Sequence, residues 1–157
     1  RRGLEETRRS LKDLRAAPLE DMGLALAMRA LAKDFAARNE LVLELDVPEE
    51  INNLPQEIEH GFYRVAQEAL ENIIQHAGAK HVQVKLEQVG EVLLLTVADD
   101  GRGFDTGSET TEHQLGVQGM YERAELIGAR LEVNSEVDQG TIVRLSKENG
   151  SGTSINL

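Results

Sequence analysis

Residues 55–77 read PQEIEHGFYRVAQEALENIIQHA, and within them Phe62, Val65, Ala66, Ala69, Leu70, Ile73, Ile74 and Ala77 recur at helical spacing. They form one continuous apolar stripe, which predicts a long helix lying against a core. Glu68, Asn72 and His76 follow each other at intervals of four, and four residues advance a helix by one turn plus about forty degrees, so the three line up along one side. Glu68 and Asn72 sit opposite the stripe. His76 lies nearer its border, where a packing or helix-end role is equally open. Carboxylate and amide oxygens are hard ligands suited to magnesium, and a carboxylate one turn away can orient a water or accept a proton. Taken alone, a Glu-x-x-x-Asn pair is more often a solvated helix face.

Toward the C-terminus, Val82, Val84 and Leu86, then Val92 to Val97, read as two strands joined as a hairpin across Gly90. The second strand runs directly into Asp99-Asp100-Gly101-Arg102-Gly103-Phe104. Two glycines leave bare backbone that a flat base can approach, and a carboxylate at a strand end can accept from an exocyclic amine. An ordinary Asp-Gly turn explains this segment equally well. After the polar stretch from Asp105 to Gln114, Val117, Met120, Tyr121, Ala124 and Ile127 mark another helix, ended by Gly128. Gly116 and Gly119 are expected at its opening, where unpaired N–H groups favour an anion such as triphosphate, although a flexible hinge is the more frequent meaning of such a glycine pair. No Gly-Lys-Ser/Thr follows them, so the Walker pattern is absent. Leu131 and Val133, then Ile142, Val143 and Leu145, make two last strands, with Gly140-Thr141 entering the second. The tail from Ser146 is polar.

Toward the N-terminus, Leu41 to Val47 alternates as a half-buried strand, and Leu24, Met28, Leu31 and Phe35 mark an amphipathic helix. Pro18 separates that helix from a segment in which Leu4, Leu11 and Leu14, with Thr7 between, fall on a heptad-like seam. The seam reads as the stub of a pairing helix or as an amphipathic helix packed on its own domain. Strands alternating with helices predict helices stacked on one face of a mixed sheet.

The 157 residues fit one domain with a short appendage. A net charge of −11 repels phosphate backbones, so nucleic acid is not expected as a partner. A nucleotide remains open, because bare backbone and a divalent cation can offset its charge locally. Without cysteine there is neither a disulfide framework nor a thiolate metal site, and no apolar run approaches the ~18 residues of a membrane span. The chain begins Arg1-Arg2 without an initiator methionine, so it is expected to be a piece of a longer protein.

In this order the elements resemble the ATPase superfamily of histidine kinases, gyrase, heat-shock chaperones and mismatch-repair proteins. Tyr63 to Asn72, leading to His76-Ala77-Gly78-Ala79, looks like the N box of the nitrate-sensor-like branch of sensor histidine kinases. Asp99 to Phe104 looks like its G1 box. Gly116 to Val143 is similar to the branch's phosphate-binding helix and closing strands, and Leu14 to Leu24 to its junction after the dimerisation helices.

The resemblance implies an α/β (α+β) two-layer sandwich of the Bergerat type, with a mixed, mostly antiparallel sheet covered on one face by helices. It implies residues 1–18 as the end of a dimerisation helix and junction, 19–146 as the ATP-binding catalytic domain, and 147–157 as a polar tail. Under it, Asn72 binds magnesium, Glu68 supports the metal or its water, and His76 belongs to the cofactor site. Asp99 accepts from adenine, Gly101 and Gly103 make room for the base, Gly116 and Gly119 face the phosphates, and Thr141 completes the adenine end. Residues 105–115 form a short lid. The reaction implied is transfer of the γ-phosphoryl group of magnesium-ATP to a histidine on a dimerisation helix of a homodimeric parent, free or membrane-anchored, whose catalytic domain is cytoplasmic and which then serves a response regulator.

The chain departs from the branch in three places. None of His60, His76, His81 or His113 is followed by an acidic residue in an amphipathic N-terminal helix, so the acceptor is expected outside the chain. Gly128-Ala129 stands where Gly-Gly is common, and no leucine-proline follows the last strand. A serine kinase of the anti-sigma kind and a nucleotide-binding interaction module without turnover are the alternative functions on the same fold.

Overall fold

The computed structural model describes residues 19, 22–51, 53–103 and 111–148, apart from the side chains of 76, 77 and 111–116. The heptad-like segment, Pro18, residues 104–110 of the expected lid and the tail beyond Glu148 lie outside the described residues. Helix α1 covers residues 22–38. It is followed by β1 (Val42–Asp46), α2 (Gln56–Asn72), a wide π-helical turn (Ile73–Ala77), β2 (His81–Val89), β3 (Val92–Asp99), α3 (Thr111–Leu126), β4 (Arg130–Glu136) and β5 (Gly140–Glu148).

The five strands form one sheet in the order β1-β2-β3-β5-β4. Only β1 and β2 are parallel, as a connection through α2 permits, and the other pairs are antiparallel. Side chains alternate between faces, so register builds rows across the sheet. Leu86, Leu95, Leu145 and Leu131 form one row, and Val84, Val97, Val143 and Val133 the next. These residues join one core with Phe62, Val65, Ala66, Ala69 and Leu70 of α2, Leu24 and Met28 of α1, and Met120 and Ala124 of α3. The helices therefore cover one face of the sheet, as the sequence predicts. Phe62 is fully buried, and its loss to alanine would remove about 3–5 kcal/mol from a domain holding roughly 5–15.

Local details account for the element ends. The backbone N–H of Leu24 in α1 donates to the Glu59 carboxylate of α2 at 3.0 Å, which ties the two helices together. The π-helical turn leaves the chain at Gly78, whose φ of 59° is left-handed. Gly90 makes the expected tight β2–β3 connection with φ of 60°.

Three expectations need correction. Helix α3 starts at Thr111, so Gly116 and Gly119 lie inside it rather than at its opening, and residues 111–115 belong to the helix rather than to a loop. The open N–H groups of an α-helix are those of its first four residues, here 111–114. The strand β5 continues through Ser146 to Glu148, because Ser146, Lys147 and Glu148 pair with Leu94, Leu93 and Val92. Ile74 leaves the apolar stripe and is 47% exposed, since it lies in the wide turn that departs from α-helical spacing.

Candidate functional site

The row of the sheet nearest the exit of β3 breaks the apolar pattern. Its inner-face positions are Leu43, Val82, Asp99, Thr141 and Ser135, so three adjacent strands carry polar groups where the two preceding rows carry leucine and valine. Asp99, Thr141 and Ser135 are only partly buried. A polar rim on the helix-covered face is where a ligand with a hydrogen-bonding edge can be read.

Asp99 is held firmly. Its Oδ1 accepts the backbone N–H of Gly101 at 2.8 Å, closing the turn, and the backbone N–H of Thr141 also donates to its carboxylate. Burial nevertheless raises its pKa above the ordinary carboxylate value, with the neighbouring Asp100 charge adding to the rise and the two backbone donors opposing it. Thr141 Oγ1 lies 2.8 Å from Ser135 Oγ, and Ser135 Oγ donates to the Gly140 carbonyl at 3.2 Å.

The glycines of the turn are fixed by the protein as much as by any ligand. A Cβ on Gly103, whose φ is 61°, would stand 2.0 Å from the Glu136 carbonyl oxygen and 2.9 Å from that of Gly140. One on Gly140 would stand 2.1 Å from the Asp99 carbonyl oxygen. The turn after β3 thus seats directly on the β4–β5 connection, and the Asp138 N–H donates to the Arg102 carbonyl. The expected role of Gly103 in admitting a base is therefore joined by a packing role that no local reading of the motif reveals.

Asp100 ties this turn to the start of β2. Its Oδ1 accepts the backbone N–H groups of Lys80 and His81, both at 2.9 Å, and its Oδ2 lies 2.6 Å from His81 Nδ1. These contacts hold its pKa at about 2, the His81 backbone donor contributing most. The Arg102 guanidinium lies beside Gly78, on the segment that leaves the π-helical turn. The C-terminal end of α2, carrying Asn72, is so fastened to the same rim of the sheet as Asp99.

One turn back from Asn72, Glu68 projects toward α3. Its Oε1 accepts from Arg123 Nε at 3.0 Å, while its Oε2 is buried and makes no hydrogen bond. A Cβ on Gly119 would lie 3.2 Å from that Oε2, so a glycine lets α3 pass close over the carboxylate. A buried oxygen without a donor is costly unless a ligand, water or cation meets it. Glu68 and Asn72 fit a magnesium site on this ground. Among the described residues no three His, Cys, Asp or Glu side chains gather to hold a metal, so a magnesium ion here would draw most of its ligands from phosphates and waters.

The fold therefore brings Glu68 and Gly119 together at the α2–α3 crossing, with Asn72 one turn further along α2, and Asp99, Gly101, Gly103 and Thr141 at the sheet rim. Gly116 lies along α3, and His76 lies in the π-helical turn with its side chain outside the described residues. Three residues escaped the sequence reading. Arg123 sits in a helix distant in sequence from its partner Glu68, Asp100 reads as the second half of an Asp-Asp turn, and Ser135 reads as a polar break in a strand.

An acidic rim, a buried orphan carboxylate oxygen and bare turn backbone on a helix-covered mixed sheet define a nucleotide-binding α/β sandwich. Residues 57–150, well over half of the chain, match the model of the histidine kinase-, DNA gyrase B-, and HSP90-like ATPase family, and the chain belongs to that family. It is 32% identical over 143 residues, 91% of its length, to the signal transduction histidine-protein kinase/phosphatase DegS of Brevibacillus brevis. It is 33% identical over 142 residues, 90% of its length, to the oxygen sensor histidine kinase NreB of Staphylococcus carnosus (strain TM300). The chain spans only 37% and 41% of the length of these two curated relatives. Its fold is that of the histidine kinase domain from the Erythrobacter litoralis EL346 blue-light activated histidine kinase, with a TM-score of 0.64 at 24% identity over 80% of this chain and 60% of that one. Among the described residues no helix is long and apolar enough to cross a membrane.

Proposed function

We propose that this chain is the ATP-binding catalytic unit of a two-component sensor histidine kinase, with that unit running from residue 19 to the end of β5 at Glu148 and residues 1–18 as the junction from a dimerisation helix. The observation that carries the reading is the pairing of two sites at one end of the fold: a polar row ending in Asp99 that suits an adenine edge, and Glu68 with Asn72 that suits a magnesium-bound triphosphate. Asp99 accepts from the adenine amino group, Gly101 gives the base room, and Thr141 completes that end. Asn72 would lend its amide oxygen to magnesium, and Glu68, with one oxygen unpartnered, would support the metal or its water. Bound magnesium supplies neutralisation of charge on the transferring phosphoryl group. The chain itself contributes positioning rather than covalent chemistry.

His60 lies in α2 and His81 is held by Asp100 at the start of β2, which supports an acceptor histidine outside this chain, on the dimerisation helix of a homodimeric parent with its reaction centre in the cytoplasm. A response regulator then takes the phosphoryl group. Incubation of the chain with γ-labelled ATP, magnesium and a separately produced dimerisation segment of the parent tests the proposal. Acid-labile label is expected on the segment and not on the chain. Label on the chain itself, or on serine of a partner, would overturn it in favour of another kinase of the same fold.

A further inference from the structure

Asp99, Thr141 and Ser135 lie side by side across β3, β5 and β4, and the order of their hydrogen bonds has a direction. A carbonyl oxygen can only accept, so the 3.2 Å contact between Ser135 Oγ and the Gly140 carbonyl uses the serine's single proton. The 2.8 Å contact between the two hydroxyls is then donated by Thr141 to Ser135. Thr141 is left with lone pairs alone to offer the rim, beside a carboxylate that also only accepts.

We propose that Ser135 is a specificity-determining positioning residue: by taking the Thr141 hydroxyl proton it fixes Thr141 as an acceptor, so that the polar row admits a purine bearing an amino group and rejects one bearing a carbonyl in its place. The inference rests on the nucleotide-binding reading above and deepens it. Ser135 lies on the edge strand behind Thr141 and is not itself required to touch the base. Without it, the threonine hydroxyl rotates freely and can donate to a carbonyl, directly or through a water. The carboxylate of Asp99 then stands as the only fixed acceptor in the row. Discrimination weakens even though no group that meets the base has been removed.

Competition binding of ATP and inosine triphosphate, which carries a carbonyl where adenine carries its amino group, tests this on the whole chain with magnesium present. Ser135→Ala should lower the ATP-to-inosine-triphosphate preference about fivefold, the scale of one neutral hydrogen bond, and Ser135→Thr should restore it to within about twofold. On a Thr141→Val background the Ser135→Ala change should alter the preference no further, because the hydroxyl it orients is gone. Should Ser135→Ala not fold, Ser135→Cys, a weak hydrogen-bond partner, is expected to lose preference in the same direction. A Ser135→Ala protein that binds both nucleotides more weakly by the same factor assigns Ser135 to fold stability alone and overturns the proposal. So does an unchanged preference in a Ser135→Ala protein whose Asp99→Asn counterpart has lost it, and that result leaves the nucleotide reading standing. Wild-type protein that binds neither nucleotide overturns both.

Discussion

Gly119→Ala separates the site from the fold, because the two respond in opposite directions. Gly119 lies in the interior of α3 and its φ is not positive, so alanine removes backbone freedom from the unfolded chain and gains about 0.5–1 kcal/mol of helix stability. Against this stands one tight contact. The new Cβ would lie 3.2 Å from Glu68 Oε2, with Oε1 at 3.7 Å and Cδ at 3.8 Å, so the carboxylate must give by a few tenths of an ångström. Its Oε1 is held by Arg123 at 3.0 Å, and the displacement falls on Oε2, the oxygen with no partner. A shift of that size costs less than the ~1–3 kcal/mol of overpacking in a core, because it moves the end of a side chain that is 28% exposed. The two terms nearly cancel, and stability should stay within about 0.5 kcal/mol of wild type, or roughly 1–2 °C in Tm. Function should not be spared. The methyl group crowds the unpartnered oxygen proposed to serve the metal's water, so magnesium-dependent ATP affinity should fall about tenfold, the scale of a hydrogen bond to a charged group. Thermal unfolding and calorimetry on the same preparation measure both. A loss of more than about 2 kcal/mol of stability would make Gly119 a core packing position, and unchanged ATP affinity would remove Glu68 from the site.

Three further substitutions probe the two ends. Asn72→Ala should weaken ATP binding with magnesium about tenfold and leave metal-free binding within about twofold, since the amide oxygen is the proposed metal ligand; equal losses under both conditions in calorimetry would show another role. Asp99→Asn should weaken ATP about tenfold and improve GTP relative to ATP, because the amide still accepts but can also donate; wild-type affinity and selectivity in competition binding would reduce Asp99 to a turn residue. Asp100 has a folded pKa of about 2 against 3.8 for the free group, so its contribution to stability is present above 3.8 and is lost as the pH falls toward 2. Asp100→Asn should flatten that acid limb and lower Tm by about 3 °C at neutral pH, a modest value for an exposed carboxylate, and an acid limb identical to wild type in a pH series of melts would contradict the assigned hydrogen bonds. Asp99 carries the opposite sign: its raised pKa means that its ionised form costs stability at neutral pH and that protonation on acidification strengthens the fold while weakening the proposed acceptor for adenine.

The parts of the account that were legible from residues alone are those set by period. The 3.6-residue stripe from Phe62 to Ile73 and the two-residue alternation of Val82 to Leu86 report burial directly, and the structure buries those positions. What period cannot report is register. That Asp99 shares a row with Thr141, and through it with Ser135, follows from a pairing between strands some forty residues apart in sequence, which no local pattern contains. The start of α3 was hidden for a related reason. Thr111 to Gln114 carries no apolar residue and Gly116 and Gly119 are poor helix formers, so propensity argued for a loop, while at Gly119 the near approach of α3 to Glu68 leaves little room for a side chain. The ion pair of Glu68 with Arg123 joins residues 55 apart in sequence. It reassigns one oxygen of the carboxylate to a structural partner and leaves only the other for chemistry.

Titration calorimetry of ATP into this chain, with magnesium and with a chelator in its place, tests the central claim most directly. The account predicts one-to-one binding that is tighter with magnesium, that Asn72→Ala reduces to the metal-free level, and that leaves no phosphate on the chain. Absence of ATP binding by a folded chain, or binding with the same affinity whether or not magnesium is present, would contradict it.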